Sequence, residues 1–145
     1  MVTRPAAGLK AILDAINVGT PSLLSGWVVT EGSMPTFPDM CITLYNSGGR
    51  SPEARLAIDY PNVQVIVRGT EKGYAAAEAK ARDLKDIFHG ITEAVAAPYP
   101  ALKSCLQVGD TAEMGRDETN RPRFVMNFRL ITMPTPGPFD RREAM

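Results

Sequence analysis

The spacing of apolar and polar positions changes several times along this 145-residue chain, and each change marks an element. In RPAAGLKAILDAINVG (residues 4–19), Leu9, Ile12, Leu13 and Ile16 recur at helical spacing, and Gly19 and Pro21 punctuate the end. This predicts a short amphipathic helix. GWVVTEG, bounded by Gly26 and Gly32, reads as a short strand with Trp27 and Val29 on one side, whereas SMPTFPD, with Pro35 and Pro38, reads as loop. The period then becomes two. MCITLY puts Met40, Ile42 and Leu44 on one face, and NVQVIVRG puts Val63, Val65 and Val67 inward with Gln64 and Arg68 outward. Ile66 interrupts that polar face and implies that it is partly covered.

EKGYAAAEAKARDLKDIFHGI (residues 71–91) returns to helical spacing, with Tyr74, Ala77, Ala81, Leu84, Phe88 and Ile91 on a stripe that Ile87 widens. Thr70 or Glu71 is the expected cap. Ala75, Ala76, Ala77 and Ala79 favour helix and allow close packing, and Glu78 and Arg82 are placed to pair one turn apart. APYPALKSCLQVGD then bends into a strand in which Leu102, Leu106 and Val108 alternate with Lys103, Cys105 and Gln107. AEMGRDETNRPRFVMNFRLITMP reads as a hairpin turning in RDETNRP. Its return strand has Phe124, Met126, Phe128 and Leu130 on one face and Arg123, Asn127 and Arg129 on the other. The proline-rich PTPGPFDRREAM is expected to be extended or disordered. The expected architecture is one α+β domain over residues 1–133, in the order α-β-β-β-α-β-β, with a tail over 134–145. Its sheet is mostly antiparallel, with the helices packed on one face.

Composition narrows the function more than it defines it. Lys plus Arg and Asp plus Glu number 16 each, so the formal net charge is zero, and no basic surplus points to nucleic acid. The two cysteines lie in separate strand-like runs, which favours reduced, buried thiols over a disulfide or a metal site. No leader-like or membrane-spanning stretch stands out, which places synthesis in the cytoplasm.

LYNSGGRSPEARL (residues 44–56) raises the possibility of a phosphate cradle. Such a loop needs a helix starting just after its glycines, and here Gly48 and Gly49 fall between two strands. The single histidine, His89, falls in the last turn of the long helix, where it complements the free carbonyls. Ser47 and Ser51 have no base partner, and Asp59 reads as a solvated or turn-bonding residue. No catalytic group, cofactor site or metal site emerges. Arginines remain: Arg50, Arg55, Arg68, Arg116, Arg121, Arg123 and Arg129 lie in loops and on strand faces, where they either form a contact surface or merely solvate a face balanced by Glu53, Asp59, Asp117 and Glu118.

DYPNVQVIVRG followed by GY…A…A…IFHG, then GRDE…RPRFVMNFRLI, with CITLYNSGG before them, resembles a family of phage minor capsid or tail-completion proteins akin to the tail terminators of long-tailed phages. The likeness runs from about Cys41 to Met133 and rests on the joint order of these elements. It implies a virion subunit made in the bacterial host cytoplasm that assembles with itself into a ring, a hexamer in the relatives. That ring sits at the head-proximal end of the tail. It caps the major tail tube protein, joins head to tail through a connector or neck protein, and lets DNA pass without reading its sequence; no membrane is involved. The edges of an open sheet offer backbone groups to a neighbouring copy, and head-to-tail contacts close into rings. The expected contact elements are the hairpin from about Lys103 to Met133, the Gly48–Arg55 loop and the tail from Pro134. Arg50, Arg55, Arg116, Arg121, Arg123 and Arg129 are the candidate interface residues for subunit or tube. Three readings stay open beside the tube cap: a different neck or head-completion connector, a small nucleotide-binding enzyme using the glycine loop, and an α+β adaptor of unknown partner.

Overall fold

The computed structural model describes residues 4–93, 96 and 99–144. Its elements run α1 (Pro5–Gly19), β1 (Val28–Glu31), β2 (Cys41–Arg50), β3 (Tyr60–Arg68), α2 (Tyr74–Phe88), β4 (Leu102–Gln107), β5 (Ala112–Arg116) and β6 (Pro122–Thr132). The six-stranded sheet has the order β1-β2-β3-β6-β4, with β5 also paired to β6. β1 runs parallel to β2, and every other pairing is antiparallel. The α+β class and its mostly antiparallel sheet are as the pattern predicts. The structure adds one strand after α2, because the first arm of the expected hairpin pairs as β5 in its own right.

The core lies on one face of this sheet. Ile42 and Leu44 of β2, Val63, Val65 and Val67 of β3, and Phe124, Met126, Phe128 and Leu130 of β6 are all buried there. The register aligns them in rows: Val67 opposite Phe124, Val65 opposite Met126, and Val63 opposite Phe128. Against these rows pack Leu9, Ile12 and Leu13 of α1 and Ala77, Ala81, Leu84 and Phe88 of α2. The small alanines bring the α2 backbone close to the sheet. Phe88 and Phe128 meet edge to face at 5.5 Å, worth about 1 kcal/mol beyond their buried area.

Side chains from the sheet fix where α1 sits. Its N-cap, Arg4, provides no side-chain cap; instead the Ala6 N–H donates to Asn46 Oδ1 of β2 at 2.9 Å. Arg4 itself holds Glu31 of β1 through two hydrogen bonds of 2.9 and 3.1 Å. The hydrogen bond from Arg4, with a smaller Coulombic contribution from the same residue, keeps the Glu31 carboxyl below its ordinary range. α2 also lacks the expected cap. Gly73 is its N-cap, preceded by a turn in which the Gly73 N–H donates to the Thr70 carbonyl.

Two segments depart from the sequence pattern. The glycine stretch is not a loop, since β2 continues through Gly48 and Gly49 to Arg50 as one arm of a long hairpin with β3. A bulge between Asn46 and Gly49 absorbs the extra length. Gly49 has φ 131°, and a Cβ there would lie 2.2 Å from the Tyr60 carbonyl oxygen. Glycine is therefore required by the approach of the partner strand. No helix begins at Arg50, so these residues form no phosphate cradle.

β4 presents the opposite face from the one its alternation predicts. Leu102 is buried, but so are Cys105 and Gln107, while Leu106 is 48 % and Val108 40 % exposed. A register shift between Leu102 and Ser104 turns the strand over, placing Cys105 opposite Leu130 and Leu106 opposite Arg129. Burial pushes the Cys105 thiol up to about 12. Cys41, also buried and unpaired, is raised by burial too.

This inversion has a direct stability consequence. Cys105→Asp is expected to cost at least about 3 kcal/mol, because it buries a carboxylate without a partner. Leu106→Thr is expected to cost about 1 kcal/mol or less. Urea unfolding of both variants checks the order; the reverse order would restore the register read from the alternation.

Candidate assembly surface

β6 is central, so only the flanks of the sheet can meet another chain edge to edge. The outer side of β4 is already occupied. The Gly90 N–H donates to the Cys105 carbonyl, Thr92 bridges Ser104, and the Gln107 N–H donates to His89 Nδ1 at 3.0 Å. His89, the C-cap of α2, thus fastens the helix end to β4, and accepting at Nδ1 puts its ring proton on Nε2. Among the described residues, β1, β4 and β5 each have an edge without a strand partner, and of these the β4 edge is covered by residues 89–92.

The face of the sheet opposite the helices carries Arg68, Arg123 and Arg129. Arg68 and Arg123 are register partners on β3 and β6, an arrangement that places two like charges side by side. The conflict is relieved by carbonyl oxygens. Arg68, 3 % exposed, donates through Nε to the Asp39 carbonyl at 2.9 Å and through Nη2 to the Pro38 carbonyl at 2.8 Å. Arg123 is half-buried and reaches the Gly115 and Arg116 carbonyls only at 3.5 Å.

Arg121 is buried at the β5–β6 turn. Its Nε donates to Asp117 Oδ2 at 2.9 Å, and its Nη1 donates to the Thr36 carbonyl at 2.7 Å and Asp39 Oδ1 at 3.1 Å. Asp117 also accepts the N–H groups of Thr119 and Arg121, as aspartate does in a tight turn. Burial works against the Asp117 carboxylate, but these hydrogen bonds and the Arg121 charge prevail and hold its carboxyl below the ordinary range. Arg68 and Arg121 together clamp the Ser33–Met40 loop onto the sheet. The Thr30 hydroxyl, donating to the Ser33 carbonyl at 2.9 Å, adds a third tie.

The other candidate arginines are dispersed. Arg116 donates to the Glu71 and Asn120 carbonyls, joining the turn to the approach of α2. Arg50 stacks over the Tyr60 ring at 3.9 Å, and Arg55 and Arg129 are exposed. The residues proposed from sequence therefore form no single patch: Arg116, Arg121 and Arg123 gather at one end of the sheet, while Arg50 and Arg55 lie on the β2–β3 side.

The segment after β6 returns to its own domain. The Glu143 N–H donates to the Arg55 carbonyl and its carbonyl accepts from the Ala57 N–H, both at 2.7 Å. Arg142 binds Asp59 at 2.5 Å and Asp140 at 3.0 Å. Arg142, first through its side chain and then through its N–H, keeps the Asp140 carboxyl below its ordinary range. Residues 133–138 have no helix or strand of their own. Asp59, read from sequence as solvated or turn-bonding, is thus one side of an ion pair whose partner lies 83 positions away. Nothing near Asp59 in the sequence signals that pairing.

Among the described residues, no three His, Cys, Asp or Glu side chains gather as a metal site, and no helix is long and apolar enough to cross a membrane. Large apolar side chains do reach the surface, notably Phe37, Val18 and Phe139, which are 82 %, 83 % and 95 % exposed.

Arg121→Ala is expected to cost about 2–4 kcal/mol, since it leaves the Asp117 carboxylate enclosed without its cation. The pH dependence has a defined sign. A carboxyl whose folded pKa is depressed stabilises the fold above its unfolded value of about 3.9 and loses that contribution as pH falls through the folded value. The stability gap between the parent chain and Asp117→Asn should therefore be full at neutral pH and narrow below about pH 4. Thermal unfolding across that range measures it, and a gap independent of pH would contradict the assignment.

No curated protein matches the chain. Residues 12–133, from the core helix α1 through the end of β6, match the family described as bacteriophage tail terminator protein. The matched span contains the second half of α1, all of α2, all six strands and the arginine-clamped loop, so the chain belongs to the bacteriophage tail terminator family and is a structural protein of the phage tail.

Proposed function

We propose that this chain caps the head-proximal end of the tail tube, ends tube polymerisation and provides the surface to which the head docks. The observation that carries the reading is the family match over residues 12–133. The shape of the subunit supports it. Among the described residues the outer edges of β1 and β5 carry no further strand and offer backbone groups to other chains, and Val18, Phe37 and Phe139 are exposed apolar side chains. The partners in this reading are further copies of the chain in a ring, a hexamer by analogy with the family, together with the major tail tube protein and a connector or neck protein. Genomic DNA passes through the lumen without sequence-specific contacts, in keeping with the zero formal charge. The function is assembly, and no catalytic step enters it.

Electron microscopy of lysates from a phage carrying this gene, with and without an in-frame deletion, tests the reading. Overlong tails without heads are the expected outcome in the deletion. Tails of normal length beside filled, unattached heads would assign the protein to the neck instead, and intact infectious particles would refute both assignments.

A further inference from the structure

After β6 the chain leaves the sheet at Met133, whose N–H donates to the Ala101 carbonyl at 2.8 Å, and it is tied down again at Arg142 and Glu143. Pro134, Pro136 and Pro138 lie between these points and have no N–H to give. The returning end first closes on itself. The Asp140 N–H donates to the Gly137 carbonyl at 3.1 Å, and the Asp140 carboxylate accepts from the Arg142 N–H at 2.9 Å. The Arg142 guanidinium then grips both sides, with Nη2 on Asp140 at 3.0 Å and Nη1 on Asp59 at 2.5 Å. One residue further on, Glu143 makes its two backbone bonds, to Arg55 and from Ala57.

This attachment is polar throughout. None of residues 133–144 is buried, and Phe139 already stands in solvent. Ala57, which gives its N–H to Glu143, is buried but is no part of the core between sheet and helices. Undocking the segment therefore exchanges its hydrogen bonds for hydrogen bonds to water and exposes little apolar surface, which costs far less than opening the sheet. Because one guanidinium serves both carboxylates, and the backbone pair is adjacent to it, these ties are lost together.

We propose that residues 134–144 are a latch, held through Arg142, that opens as a unit while the sheet and both helices stay folded. Docked, the latch covers the backbone edge of Arg55–Ala57 and pairs the Asp59 carboxylate. Open, it bares that edge and that charge, and it frees an arm whose full extension is about 36 Å. The latch is a property of the subunit alone and does not depend on the tube-cap reading.

Hydrogen exchange of the full chain, followed by mass spectrometry, tests this with two variants that break different ties. Arg142→Gln removes the shared cation, and Glu143→Pro removes the N–H given to Arg55 while leaving the guanidinium in place. In the parent, peptides covering residues 53–59 and 139–144 should be protected, but at least about ten-fold less than those of β3 and β6. In each variant both of these peptides should exchange at least about ten-fold faster than in the parent, with β3 and β6 unchanged. Equal acceleration in β3 and β6 would show that the segment belongs to the global unfolding unit and would overturn the latch. So would a parent whose 139–144 peptide is unprotected, or variants in which residues 53–59 exchange as in the parent.

Discussion

Phe124, Met126, Phe128 and Leu130 project from one side of β6, and nearly everything else in the molecule takes its position from that row. β3 aligns its valines beside it, α2 sets Phe88 against Phe128, and β4 joins through Cys105 opposite Leu130. A strand paired along both edges, with one apolar face, leaves its neighbours little freedom, because a slip of one residue would turn that row toward water. Both helices then lie on the same side, and the other face remains polar enough to be covered only by a loop.

That second face explains how the arginines are used. A cation at a buried or half-buried position is tolerated only with its hydrogen bonds met. Arg68 and Arg121 meet theirs mainly on backbone carbonyls of the Ser33–Met40 loop. Two side chains that read as surface charge are thus structural, and their effect is to hold a short loop, with its exposed aromatic, in one arrangement. At the other side of the sheet, Arg142 does similar work by tying the chain's end to Asp59 and Asp140.

Local periodicity made the helices and the β3 and β6 faces legible in the sequence, because each depends on which residues alternate over a few positions; the buried thiols were legible only through the general tendency of free cysteine to be buried. The inversion of β4 was not legible, since a bulge at Leu102–Ser104 leaves no mark in the alternation of Leu102, Leu106 and Val108. Nor could the extension of β2 through Gly48 and Gly49 be read, because glycine punctuates loops far more often than it serves a tight hairpin. Of the arginines, sequence identified the residue type but not the division of labour. Separating Arg121 from Arg129 requires knowing that Asp39, 82 positions away, folds back against the first of them. The tail terminator family was visible in the order of the elements, even though no single motif marks it.

A subunit with a packed core, uncovered sheet edges at β1 and β5 among the described residues, and exposed apolar side chains is suited to joining repeated copies, and a ring that ends a polymer needs only to cover the growing face. The most direct measurement is the length of tubes formed by purified tail tube protein when this chain is added during growth. The account requires elongation to stop once there is enough chain to place one ring on each growing end, leaving tubes shorter than in its absence. Tubes that grow to the same length distribution with and without the chain would contradict it.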